Sequence, residues 1–167
     1  MKRIVLILLM VVNLFSLSAQ ENEVLKDRAY PQWFSDAKLG IFIHYGLYSI
    51  PSYSDKEQYA EWFYKGLISQ DSLRINFQKE VFGEDFEYKD YKDLFKAELF
   101  DAKKWADLFQ KSGAKYMNIV SKHHDGYCLY ETEYAPGLNS VECAPKRDFL
   151  MELKNAMEGT GVRFGVY

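Results

Sequence analysis

The sequence is poor in the residues that mark several common chemistries. It has only three histidines and two cysteines in 167 residues. Cys128 and Cys143 stand 15 positions apart, so at most one bridge can form, and a disulfide and two free, half-buried thiols are both open. Positive charge is not in surplus. Without Lys2 and Arg3, 19 of the 21 Lys and Arg remain against 24 Asp and Glu, a formal charge of −5. No basic stripe is left to track a phosphate backbone, so no nucleic-acid partner is expected. No Gly-x-Gly-x-x-Gly follows the first apolar strand-like run, which weakens a dinucleotide-binding sheet, and no cofactor is expected. The apolar run Ile4 to Val12 is shorter than the roughly 20 residues a bilayer span needs.

That run does fit an export signal. Lys2 and Arg3 precede it, Asn13 breaks it, and Ser16, Ser18 and Ala19 lead to polar Gln20 and Glu21. A basic start, a short apolar middle and a small-residue end are the pattern removed by signal peptidase. Residues 1–20 are expected to be a signal peptide cut near Ala19, with an uncleaved anchor as the alternative; no cysteine follows to carry a lipid. A periplasmic or extracellular protein without stable membrane insertion is the expectation.

Aromatics are what the chain has in abundance: 13 Tyr, 12 Phe and 3 Trp, or 17%. Flat rings meet sugar faces well, but they also fill cores, and composition alone does not separate the two. With 48% hydrophobic and 27% charged residues the chain can build a globular core.

Along the chain, Leu39 to His44 is an apolar, β-branched run that ends on His44, with Gly46 just beyond. Ser54 to Leu67, which carries Glu61 and Trp62, reads as helical or irregular, and residues 69–99 as a long connection with helical pieces. From Asp101 the pattern sharpens. Asp101 is a helix N-cap, Trp105, Leu108 and Phe109 recur at helical spacing, and Gly113 closes the helix. The strand "AKYMNIVS" then runs into His123-His124-Asp125-Gly126, and Pro136, Gly137 and Pro145 punctuate the following loop. The same grammar returns: Asp148 caps a helix bearing Leu150, Leu153 and Met157, Gly161 stops it, and "VRFGVY" is a new strand.

Two helix–Gly–strand modules after an initial strand imply a parallel sheet with helical crossovers. Of the two main parallel architectures, the missing glycine fingerprint favours the eight-fold barrel, whose active sites lie at the C-terminal ends of its strands. The fold class expected is α/β, an incomplete (β/α)8 TIM-like barrel holding about the first three strands. Since such barrels run to roughly 250 residues, an N-terminal portion of a longer enzyme is expected. His44, His123 and His124 then gather on one rim, with Tyr167 at the end of the third strand.

The residues alone leave that rim's chemistry open. A neutral imidazole offers one donor and one acceptor, which suits a sugar hydroxyl. Adjacent strand residues face opposite ways, which argues against His123 and His124 both ligating a metal, although His44, His123 and Asp125 beyond the strand ends could form a facial triad for a metal-dependent hydrolase or oxygenase. Glu61 and Trp62 fit a helix-surface carboxylate beside a core indole as well as a sugar site. Tyr167 can be a core tyrosine; Trp33 and Trp105 read as structural, and Lys146 and Arg147 as loop braces. No pair of acids in the chain has the context of a nucleophile and its acid/base partner.

Taken in order, the segments "LGIFIHYGLYSIP", "EWF", "FDAKKWADLFQKSGAKY", "SKHHDGYCLY", "NSVECAPKRDFLMELKNAM" and "GVRFGVY" resemble the N-terminal part of the α-L-fucosidases of glycoside hydrolase family 29. The resemblance spans roughly Trp33 to Tyr167 and makes residues 21–167 the N-terminal portion of a catalytic barrel. It implies a retaining, two-carboxylate hydrolysis of α-L-fucosyl linkages in glycans. The family's nucleophile, an aspartate at the end of the fourth strand, and its acid/base both fall after Tyr167, so no catalytic residue is assigned within the chain. The resemblance also implies that His44, Glu61, Trp62, His123, His124 and Tyr167 hold the fucose, that Asp125 orients the histidine pair or braces its loop, that no metal takes part, and that the rest of the barrel joins in cis. An inactive or purely carbohydrate-binding fragment is the alternative.

Overall fold

The computed structural model describes residues 29–167, so the expected signal peptide and its cleavage point lie outside the described residues. The chain divides into two compact units at Lys38. In the first, helix α1 (Gln32–Ala37) starts after Pro31 and stops where Lys38 turns left-handed at φ 58°. Its aromatic side chains pack on one another, Trp33 edge-on to Phe34 at 5.7 Å and Tyr30 stacked on Phe34 at 6.5 Å.

The second unit carries a parallel sheet in the order β1 (Gly40–Ile43), β2 (Tyr116–Ile119), β3 (Arg163–Val166). Between β1 and β2 lie helices α2 (Phe63–Ile68), α3 (Ser72–Phe82), α4 (Tyr91–Leu94) and α5 (Ala102–Lys111); α6 (Phe149–Met157) joins β2 to β3. The carboxylates of Asp101 and Asp148 accept from the amides of Lys104 (3.0 Å) and Met151 (2.8 Å), capping α5 and α6 as their sequence positions predict. Asp71 does the same for α3, accepting from the Leu73 amide at 3.0 Å. Among the described residues no helix is long and apolar enough to cross a membrane.

In-register pairing puts Ile41, Met117 and Phe164 side by side, and Ile43, Ile119 and Val166 likewise. Met117 and Ile119 are fully buried and form the core with Leu47, Phe63, Phe149 and Leu153. The alternate positions hold Gly40, Tyr116 and Arg163, then Phe42, Asn118 and Gly165. Here space decides the residue. A Cβ on Gly40 would sit 2.0 Å from the Tyr116 ring, and one on Gly165 would sit 1.9 Å from Asn118 Oδ1.

Much of the aromatic surplus goes into this core. Tyr45 lies among Phe95, Phe100, Trp105 and Phe149, and Tyr91 among Phe63, Phe82 and Phe86. Leu108 departs from its expected place on the inward stripe. It is 62% exposed, because the buried stripe of α5 runs through Ala106 and Phe109 with Trp105 half-buried beside them. Arg147 is the brace it was read as: its guanidinium holds Glu152 and the Phe100 carbonyl and lies 5.0 Å over the Phe100 ring. Both cysteines are free thiols, Cys128 buried and Cys143 half-buried.

Candidate sugar-binding site

Backbone pairing continues one residue past each strand and fixes where the rim begins. The Val120 amide donates to the Ile43 carbonyl (3.0 Å), Tyr167 N–H to Ile119 (3.0 Å), and Ser121 N–H to Tyr167 (2.8 Å). All three strands therefore end at one edge of the sheet. Alternation carries His44 onto the face of Phe42, and Tyr167 onto the face of Gly165. The Phe42 ring bridges them, 5.2 Å from His44 and 5.5 Å from Tyr167.

After β2 the chain turns back on itself. Leu129 N–H donates to the Ser121 carbonyl and Gly126 N–H to the His123 carbonyl, with Gly126 at φ 84°. His123 and His124 stand at the head of this turn. Asp125, buried beneath, accepts from the Tyr88 hydroxyl (2.7 Å) and the Tyr127 amide (3.1 Å). These bonds tie Asp125 to its own loop and to Tyr88.

The three histidines meet. His123 lies 5.2 Å from His44 and 4.7 Å from His124, ring centre to ring centre. Trp62 lies 4.6 Å from His124 and 6.1 Å from His123; Glu61 and Trp62 sit on the one-turn 3₁₀ helix Ala60–Trp62 that leads into α2. Tyr167 is 74% exposed, and its ring meets Phe42, which in turn meets His44. Two participants were not singled out from sequence. Tyr48 is buried with its ring 5.1 Å from His123, and Tyr88 holds Asp125 from 37 residues away. The first was visible in the "HYGLYS" segment; the second had no local signal.

The electrostatics favour a neutral His123. Burial, and then the neighbouring imidazoles of His124 and His44, push His123 down to about 4, against the opposing pull of Glu61. Burial raises the Tyr48 hydroxyl, and the carboxylates of Asp125 and Glu61 add to the effect. Burial also raises Asp125, against its hydrogen bonds from Tyr88 and Tyr127. His123 is thus a neutral imidazole at pH 5–7, with Nδ1 buried and lacking a hydrogen-bond partner among the described residues. Among those residues no three His, Cys, Asp or Glu side chains converge as metal ligands.

A pH test follows. The folded pKa of about 4 lies below the ordinary 6.5, so as pH falls the unfolded chain takes up the proton first. The resulting stability is complete above about pH 6.5 and is lost progressively towards pH 4. Denaturant unfolding of the full-length protein is expected to show about 1–3 kcal/mol more acid loss in the wild type than in His123→Gln. Equal loss in both would mean that His123 does not titrate in this way.

The family model described as "Alpha-L-fucosidase" matches residues 14–167. The plasma alpha-L-fucosidase of Homo sapiens is 42% identical over 147 residues, 87% of this chain and 30% of that protein. The alpha-L-fucosidase of Dictyostelium discoideum is 37% identical over 170 residues, 98% of this chain and 36% of that protein. A crystal structure of Thermotoga maritima alpha-fucosidase in complex with fucose superposes with a TM-score of 0.79 at 44% identity, covering 87% of this chain and 35% of that one. The chain spans about a third of the length of these relatives.

Proposed function

The chain belongs to the α-L-fucosidase family, and from that premise we propose that it forms the first three strands of a (β/α)8 barrel whose rim holds an α-L-fucosyl residue for hydrolysis. The observation that carries the proposal is the meeting of His44, His123, His124 and Trp62 at the C-terminal ends of the strands, within 4.6–6.1 Å of a neighbour. Neutral imidazoles can each give and take one hydrogen bond with a hydroxyl. The Glu61 carboxylate can accept from two hydroxyls, and the indole of Trp62 offers a flat face and an N–H. Tyr167 closes the rim on the side of β3.

On this proposal the reaction is a retaining hydrolysis in which one carboxylate attacks the anomeric carbon while another protonates the leaving oxygen and later activates water. Both carboxylates belong to the longer protein after Tyr167, so residues 21–167 bind and orient but do not themselves attack. Contacts to sugar hydroxyls that tighten as oxocarbenium character develops add several kcal/mol to catalysis. Residues 1–20 are proposed as a signal peptide, and the substrate as a fucosylated glycan met in the periplasm or outside the cell.

Assay of the full-length protein on an aryl α-L-fucoside is the direct test, and no turnover would end the proposal. Within an active enzyme, His124→Ala is expected to lower kcat/KM by about 1–3 kcal/mol, roughly 5- to 150-fold, the cost of one lost hydrogen bond in the site. A value near wild type would leave His124 as a structural neighbour of Trp62.

A further inference from the structure

Two buried polar atoms in the histidine cluster have no hydrogen-bond partner among the described residues, and they belong to adjoining rings: the Tyr48 hydroxyl and His123 Nδ1. Tyr48 is 4% exposed, and its ring lies edge-on to the imidazole at 5.1 Å and 63°. The hydroxyl end has little room to move aside on one flank, since a Cβ on Gly46 would lie 3.1 Å from Tyr48 Cε1 and 3.5 Å from its Oη. The Tyr45 amide lies near enough to act on the phenol oxygen as a donor without completing a hydrogen bond, so the hydroxyl proton remains to be given. Both oxygens of Asp125 are engaged by Tyr88 and Tyr127, whereas the Nδ1 lone pair on the adjoining ring is free to accept. Leaving a donor and an acceptor unpaired in a desolvated place is costly, and pairing them removes both costs together. Both atoms are already covered, so they are placed to meet each other, directly or across one internal water.

We propose that Tyr48 is a positioning residue for His123: its hydroxyl donates to Nδ1, directly or across one internal water, and so fixes the tautomer that carries its proton on Nε2. Which nitrogen of a neutral imidazole holds the proton follows from the hydrogen bond that the other one makes. With Nδ1 accepting, Nε2 is the N–H. Nδ1 is buried while the ring as a whole is only half-buried, so the open part of the ring is the edge away from Nδ1. His123 therefore meets a ligand as a hydrogen-bond donor. The effect on catalysis rests on the fucosidase reading: there a sugar oxygen accepts from Nε2–H, and buried Tyr48 acts on the reaction only through His123.

The first test does not use the reaction. Nitrogen NMR on the full-length protein with isotopically labelled histidine, at about pH 7 where His123 is neutral, reads the two ring nitrogens separately; the His123 signals are those lost in His123→Gln. Nδ1 is expected to be unprotonated and hydrogen-bonded, with the proton on Nε2. In Tyr48→Phe, which keeps the ring, the Nδ1 signal is expected to move to that of a nitrogen without a hydrogen bond, or to mix with the other tautomer. A proton on Nδ1 in the wild type, or an Nδ1 signal unmoved by Tyr48→Phe, would overturn the proposal. The second test is kinetic. Tyr48→Phe is expected to lower kcat/KM on an aryl α-L-fucoside roughly 2- to 12-fold, the scale of one net hydrogen bond, and to change it by less than about twofold in a His123→Gln background. Equal losses in both backgrounds would make Tyr48 merely structural. A wild type without turnover would remove the fucosidase reading and leave the spectra to decide the hydrogen bond.

Discussion

Asp125→Ala in the full-length protein is expected to cost about 2–6 kcal/mol of unfolding free energy, because two buried donors lose their acceptor at about 1–3 kcal/mol each. Those donors are the Tyr88 hydroxyl and the Tyr127 amide. Tyr88 and Tyr127 are both buried, so the lost carboxylate leaves their donors in a desolvated place. Asp125→Asn keeps one acceptor oxygen and should lose about half as much. A double-mutant cycle identifies the cause: in a Tyr88→Phe background the alanine substitution should be milder, since one orphaned donor is already gone. On the proposed function, hydrolysis is expected to fall with stability, because Asp125 follows His124 directly and anchors the turn that presents both imidazoles. An unfolding free energy within about 0.5 kcal/mol of wild type would show that the turn does not depend on this carboxylate.

Gly66→Ala reverses a familiar sign. In the middle of a helix such as α2, alanine is ordinarily worth about 1 kcal/mol over glycine. Here the added methyl would lie 2.2 Å from Arg74 Cδ and 2.8 Å from its Nε. Arg74 cannot swing away freely, because Asp71, Gln58 and the Tyr59 carbonyl hold it. Overpacking at about 1–3 kcal/mol and strained charge-assisted hydrogen bonds at about 1.5–3 kcal/mol, less the alanine gain of about 1 kcal/mol, predict a net loss of about 1.5–5 kcal/mol. The damage should reach the site, since Gln58 and Tyr59 lead directly into the turn bearing Glu61 and Trp62. Shortening Arg74 should relieve the clash, so in an Arg74→Ala background Gly66→Ala should be neutral or stabilising. If it costs as much there as in wild type, Arg74 is not the obstacle.

The features legible in sequence are those with a local cause. Asp101 and Asp148 cap their helices because a carboxylate one residue before an amphipathic run has free amides within reach. The three histidines could be placed together because consecutive parallel strands end at the same edge, whatever lies between them. Residues 69–99 gave only "helical pieces", and the structure shows why. Phe77, Phe82, Phe86 and Tyr91 pack around one another instead of forming a single stripe, so no period appears along the chain. Leu108 lay at a correct spacing on the wrong face of α5, a matter of a fraction of a turn. The bond from Tyr88 to Asp125 depends on a long connection folding back, and short-range pattern carries no trace of it.

The two hydrogen-only positions of the sheet act as a key cut to one lock. Gly40 faces the Tyr116 ring and Gly165 faces the Asn118 amide, each with no room for another carbon. Sliding a neighbour by two residues would set Tyr116 against Phe42, or Asn118 against Arg163; sliding by one would turn Met117 and Ile119 away from the core. Only one alignment survives, and it dictates the height at which each strand hands over to His44 or Tyr167. The tolerance with which the rim can meet the proposed sugar is therefore set lower down, by two side chains the chain does without.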